Sequence, residues 1–157
     1  MHNGMMIAVT LMMALILMLL PMPEWTVWIR PAWVLLVLIY WSITVPHQVG
    51  VLVAWGVGIL MDLLTGTLLG EHALALTVVI YFISRIYMRL RMYHLLQQGL
   101  SVFIFVLLYQ FIIYCIQGFI GELPRSHLYW LSSITSMLLW PWLFVLMRDC
   151  RRWFKVV

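Results

Sequence analysis

Charge is scarce in this chain. Of its 157 residues only 9% are Asp, Glu, Lys or Arg, whereas 66% are hydrophobic. A soluble domain must show a largely polar face to water, so this shortage excludes one and leaves an integral membrane protein. Long polar stretches are also lacking, so no separate soluble domain is expected beside the membrane part. Cysteine is limited to Cys115 and Cys150, one in an apolar run and one in a basic tail. They lack C-x-x-C spacing and belong at different depths, which argues against a redox motif or a disulfide. The net charge of +4 comes without a long basic run, so it points to anionic lipid headgroups and not to nucleic acid. Such headgroups contribute about 1 kcal/mol per Lys or Arg near the surface.

Signatures of chemistry are missing as well. His2, His47, His72, His94 and His127 stand in no H-E-x-x-H or comparable spacing, so no metal is expected. Asp62 and His72 could be combined with a serine on paper, but no G-x-S-x-G elbow supports a nucleophile. No cofactor and no enzymatic activity are expected. The start, MHNGMMIAV, has no Lys or Arg before its apolar run and no small-x-small site after it. It reads as a retained first span and not a removed signal peptide.

What remains is apolar runs and their punctuation. A spanning helix needs about 20 apolar residues, so the chain has room for roughly six. The runs are residues 5–20, 32–45, 50–64, 74–84, 100–120 and 128–147, followed by a short basic tail at 148–157. Pro21 and Pro23 end the first, and Pro46 with His47 ends the second. Trp25 and Trp28 suit the headgroup zone. A Trp140-Pro141-Trp142 interruption is expected near the end of the last span. Several runs are short for a bilayer, a deficit that snorkelling arginines, tryptophans and local thinning can cover. The stretch around Asp62 reads either as two spans or as one span with a re-entrant piece.

The basic residues set the threading. With six spans, Arg85, Arg89, Arg91, Arg148, Arg151, Arg152 and Lys155 share one side, and only Arg30 and Arg125 lie on the other. The positive-inside rule then places both termini in the cytoplasm, and an odd number of spans would erase the bias. Those seven residues read as lipid anchors or as a landing site for an acidic cytoplasmic partner.

Asp62 is the most informative single residue. Gly58, Asp62, Gly66 and Gly70 recur every four positions, and in a continuous helix they would stay near one face. A carboxylate facing lipid at the bilayer centre costs about 2.5–3.5 kcal/mol, so Asp62 must face the bundle, a partner or a wet pocket. Its role is open between a proton or ion site and a structural one; if the helix breaks after Asp62, a cap is natural. Gln110, Tyr114 and Gln117 make a polar stripe at helical spacing, readable as internal packing or as a docking face for a partner span. Ser132 and Ser136 form a small-x3-small pair with the same two readings.

Three strings carry a resemblance. RPAWVLLVLIYW from Arg30 to Trp41 with Pro46-His47, the Gly58–Asp62–Gly66–Gly70 set, and LLWPWLFVLMR from Leu138 to Arg148 together resemble the bacterial rod shape-determining MreD family. The similarity covers essentially the whole chain. It implies an all-α polytopic bundle similar to the six-helix substrate-binding subunits of energy-coupling-factor transporters. It also implies the bacterial inner membrane as location and a role in the elongasome, the machinery of lateral peptidoglycan synthesis. Direct contact with MreC is implied, and through it with RodA, PBP2 and MreB; a homodimer stays open. Arg30, Pro31, Trp33, Gly58, Asp62, Gly66 and Gly70 match the family pattern as conformational or contact positions, and no catalytic residue is carried over.

Two functions of different class follow: a non-catalytic scaffold, or a small-molecule or lipid-binding subunit of a membrane transporter. For the second, Asp62, Gln110, Gln117 and Glu122 are the candidate lining. An intramembrane enzyme is the third and weakest reading. The threading is tested by reporters fused after Val157 and beside Arg89: both are expected to report from the cytoplasm, and a periplasmic signal from either overturns it.

Overall fold

The computed structural model describes residues 2–27, 29–123 and 127–155; Trp28 and Arg125 lie outside them. Among the described residues the fold is all helical, with no strand. The helices are α1 (His2–Leu19), α2 (Glu24–Val27), α3 (Trp33–Thr44), α4 (Val51–Thr65), α5 (Glu71–Met92), α6 (Leu95–Ile120) and α7 (Leu131–Trp153). A 3-10 turn, His127–Trp130, leads into α7. Among the described residues three helical segments are long and apolar enough to cross a membrane: Glu71–Met92, Leu95–Ile120 and His127–Trp153. α1, α3 and α4 are shorter apolar helices.

Breaks fall where the backbone demands them. Gly66 and Gly121 close α4 and α6 at positive φ, 69° and 87°, a conformation that glycine adopts without a Cβ penalty. Behind Gly121 the Glu122 amide donates to the Gln117 carbonyl at 2.9 Å, which satisfies one of the last carbonyls of α6. Gly70, at φ 101°, opens α5. The four-residue glycine spacing therefore does not describe one helix face. Gly58 and Asp62 sit on α4, and Gly66 and Gly70 make the turn that follows.

Helices outrun the apolar stretches in three places. α5 continues past Ser84 to Met92, so Arg85, Arg89 and Arg91 ride on its last turns and not in a loop. α6 starts at Leu95, and α7 runs on through the basic tail to Trp153. Hydropathy stops at the first arginine, but arginine is a good helix former and is favoured at the C-terminal end of the macrodipole. The Trp140-Pro141-Trp142 segment likewise causes no break: α7 passes through Pro141, and Trp140 is fully buried.

α3 is the axis of the bundle. Every residue from Val34 to Ile43 is buried, so this helix is apolar on all sides because protein surrounds it. It packs on α1, α5 and α7. Trp41 Nε1 donates to Thr10 Oγ1 of α1 at 2.9 Å, and Tyr40 meets Phe144 of α7 edge-on at 5.5 Å. Sequential long helices run antiparallel, as shown by Gln98 Nε2 donating to the Leu90 carbonyl and Gln110 Nε2 to the Tyr129 carbonyl. The C-terminal ends of α3, α5 and α7 thus share one end of the bundle with the seven basic residues. Arg30 lies at the other.

Gly58 is where α4 and α5 touch. A Cβ on it would run into the backbone of Ala73, closer than real Cβ atoms come. Small residues at such crossings let helices pack without a side-chain layer between them. Gly58→Val is expected to force the pair apart and cost roughly 1–3 kcal/mol by overpacking, read as a lower melting temperature of the purified protein. Gly56→Ala, on the same helix with open space around it, serves as the control that does not lower the melt.

Candidate functional site

α3 has 12 residues and is about 18 Å long, against a hydrocarbon core of about 30 Å. It begins only at Trp33. The space beyond its first turn, at the end opposite the basic cluster, is a cavity of about 410 Å³. All six main helices or their connectors reach it. Trp33, Leu35, Met61 and Ile113 supply apolar wall, and Arg30, Thr67, His72, Gln110, Gln117 and Tyr129 supply polar groups.

Asp62 organises the polar side. It is 1% exposed and belongs to the last turn of α4. Oδ2 accepts the Gly70 amide at 2.8 Å, and Oδ1 accepts the His72 amide at 3.0 Å. These are orphan donors at the start of α5, so Asp62 caps one helix from the end of another. His72 Nδ1 lies 2.7 Å from Oδ1, and Thr67 Oγ1 donates to the same oxygen at 3.2 Å. With a carboxylate as its partner, Nδ1 carries the proton, and Nε2 is left without a hydrogen bond among the described residues. This is the cap that a break after Asp62 makes natural. Among the described residues no three side chains of metal-ligating type come together.

Glu71, the next acid, was not singled out by the sequence reading. It is 3% exposed in the first turn of α5, and its Oε1 accepts from Gln117 Nε2 at 2.9 Å. The one available signal was an acid placed at a helix start, which favours the dipole but names no partner. Gln110 is buried and donates to the Tyr129 carbonyl at 3.1 Å, and Tyr129 Oη donates back to the Gln110 carbonyl at 3.4 Å. Tyr114 sets its ring against Trp130, with centroids 5.9 Å apart. The stripe of α6 is thus engaged within the chain. Glu122, a candidate for the lining, is exposed outside the cavity.

Arg30 and the segment after it form the rim. The Arg30 guanidinium donates to the Leu17 and Leu20 carbonyls at 2.7 and 3.0 Å, closing the end of α1. Ser132 Oγ donates to the Arg30 carbonyl at 2.6 Å, and Ser136 Oγ accepts the Ala32 amide at 3.2 Å. The serine pair of α7 therefore pins the entry to α3. Pro31 and Trp33 both line the cavity, and Trp33 Nε1, Arg30 Nε and Gln110 Oε1 are buried with no hydrogen-bond partner among the described residues.

The basic end repeats the capping device. Arg91 donates from Nε to the Ile43 carbonyl at 2.7 Å and from a terminal nitrogen to the Thr44 carbonyl at 2.6 Å, closing α3. Arg85 and Arg89 are exposed, with Arg85 over the Tyr81 ring at 5.2 Å. Arg148 and Arg151 are half-buried, and Arg152 and Lys155 are exposed.

The family profile described as rod shape-determining protein MreD matches residues 1–150. The chain belongs to the MreD family. It is 36% identical over 146 residues to the rod shape-determining protein MreD of Haemophilus influenzae, covering 91% of this chain and 88% of that one. No solved structure matches it significantly. Membership carries a role in rod-shape determination and, with the apolar helices, a place in a membrane.

Removing the Asp62 carboxylate strands several buried donors at once. Each costs roughly 1–3 kcal/mol, so Asp62→Ala is expected to lower the melting temperature sharply. Thr67→Val removes one exchangeable donor and is expected to cost under about 1 kcal/mol.

Proposed function

We propose that this MreD-family chain is a non-catalytic scaffold of the bacterial inner membrane that binds MreC and helps position the machinery of lateral wall synthesis. Through MreC it would be linked to RodA and PBP2 on the outside and to MreB on the inside. The observation that carries the reading is the family match across nearly the whole chain. The buried acids and amides support it in a second way: Asp62, Glu71, Gln110 and Gln117 are all spent on holding helices together.

The bundle crosses the membrane six times in this reading, with both termini cytoplasmic. α5, α6 and α7 are long enough alone, whereas α1, α3 and α4 rely on neighbours to fill the bilayer depth. The seven basic residues then meet the cytoplasm and its anionic lipids, and the cavity opens toward the periplasm. Since the α6 stripe and the α7 serines are occupied internally, the partner helix meets outward apolar residues. Candidates are Ile104 and Phe111 of α6 and Leu138 and Trp142 of α7, all exposed.

Cysteines placed singly at these four positions, paired with a cysteine scan of the MreC span, are expected to give crosslinks along one helix face. The same cells should keep rod shape. If MreC neither crosslinks nor co-purifies while rods are maintained, the scaffold reading is overturned.

A further inference from the structure

The cavity beyond α3 has the size, the apolar lining and the few convergent polar groups of a small-molecule site, which typically encloses about 300–1,000 Å³. Its electrostatics are one-sided. Among the described residues Arg30 is the one charged side chain in the lining. Asp62 and Glu71, the nearby carboxylates, are not part of the wall and already accept hydrogen bonds from His72 and Gln117. His72 adds a ring nitrogen, Nε2, free of hydrogen bonds among the described residues; with the proton on Nδ1 it is an acceptor, like the Gln110 oxygen. Two N–H donors on residues of this lining, Arg30 Nε and Trp33 Nε1, are buried without a partner among the described residues, as is the acceptor Gln110 Oε1. Opposite them Leu35, Met61 and Ile113 offer only hydrocarbon.

We propose that this cavity binds an anion-headed amphiphile, its phosphate or carboxylate held at Arg30 and the Trp33 indole N–H and its apolar body laid over Leu35, Met61 and Ile113. The Gln110 oxygen accepts from a hydroxyl on the same ligand. The site is distinct from the helix contacts assigned to MreC, because it is lined from inside the bundle. Two sources share this chemistry: a membrane lipid with an anionic head, and a soluble amphipathic anion entering from the aqueous side.

The test is a melting experiment on the purified full chain in neutral detergent, with Ile113→Phe as a variant that fills the cavity and leaves Asp62, Arg30 and the basic end intact. Phosphatidylglycerol, phosphatidylcholine and octanoate are added separately. The expected result is a rise of several degrees with an anion that is lost in Ile113→Phe. A rise with phosphatidylglycerol and not with octanoate assigns the site to a lipid, and the reverse assigns it to a soluble anion. Equal shifts in wild type and Ile113→Phe locate binding at the basic surface and overturn the proposal, as does no shift with either anion. Phosphatidylcholine matching phosphatidylglycerol overturns the requirement for charge. If Ile113→Phe does not fold, Met61→Phe fills the same cavity from α4 and takes its place with the same readouts.

Discussion

A helix that ends inside an apolar medium leaves backbone amides and carbonyls with no water to satisfy them, and this bundle is arranged around that constraint. Three charged side chains each settle the matter at one helix end. Arg30 takes the carbonyls of α1, Arg91 those of α3, and Asp62 the amides of α5. Each acts from a different segment than the one it caps, so each satisfied terminus is also a tertiary tie. In a chain with so few charges, three are spent on helix ends, while Arg85, Arg89, Arg152 and Lys155 stay exposed.

Much of this was legible in the residues. The apolar runs located the helices, Pro21, Pro23, Pro46, Gly66, Gly70 and Gly121 located breaks whereas Pro141 marked none, and the need for Asp62 to face inward followed from the cost of exposing it. What hydropathy could not see was where helices end once arginines begin, because backbone hydrogen bonding continues through Arg85–Arg91 and Arg148–Arg152 regardless of side-chain polarity. Periodicity also could not tell a glycine that lets helices touch, Gly58, from glycines that turn the chain, Gly66 and Gly70. Pairings such as Glu71 with Gln117 join residues 46 apart, and nothing local announces them.

The strings that carry the family likeness acquire separate physical meanings. RPAW places a guanidinium on α1 and a proline at the cavity rim, then starts a helix buried on every side. The glycine–aspartate set builds the α4–α5 hairpin and its cap. WPW leaves Trp140 in the core and Trp142 on the outside. The resemblance thus concerns one connected arrangement, in which the short central helix, its tethered entry and the cavity beyond it depend on one another.

That central helix has a consequence for biogenesis. A 12-residue segment that lipid never touches has no stable position of its own in a bilayer, since it is too short to bridge it and keeps Tyr40 and Ser42 among its residues. It is enclosed by α1, which is made before it, and by α5 and α7, which are made later. In the six-span reading, a nascent chain that ends before α7 leaves one side of α3 without the protein that covers it.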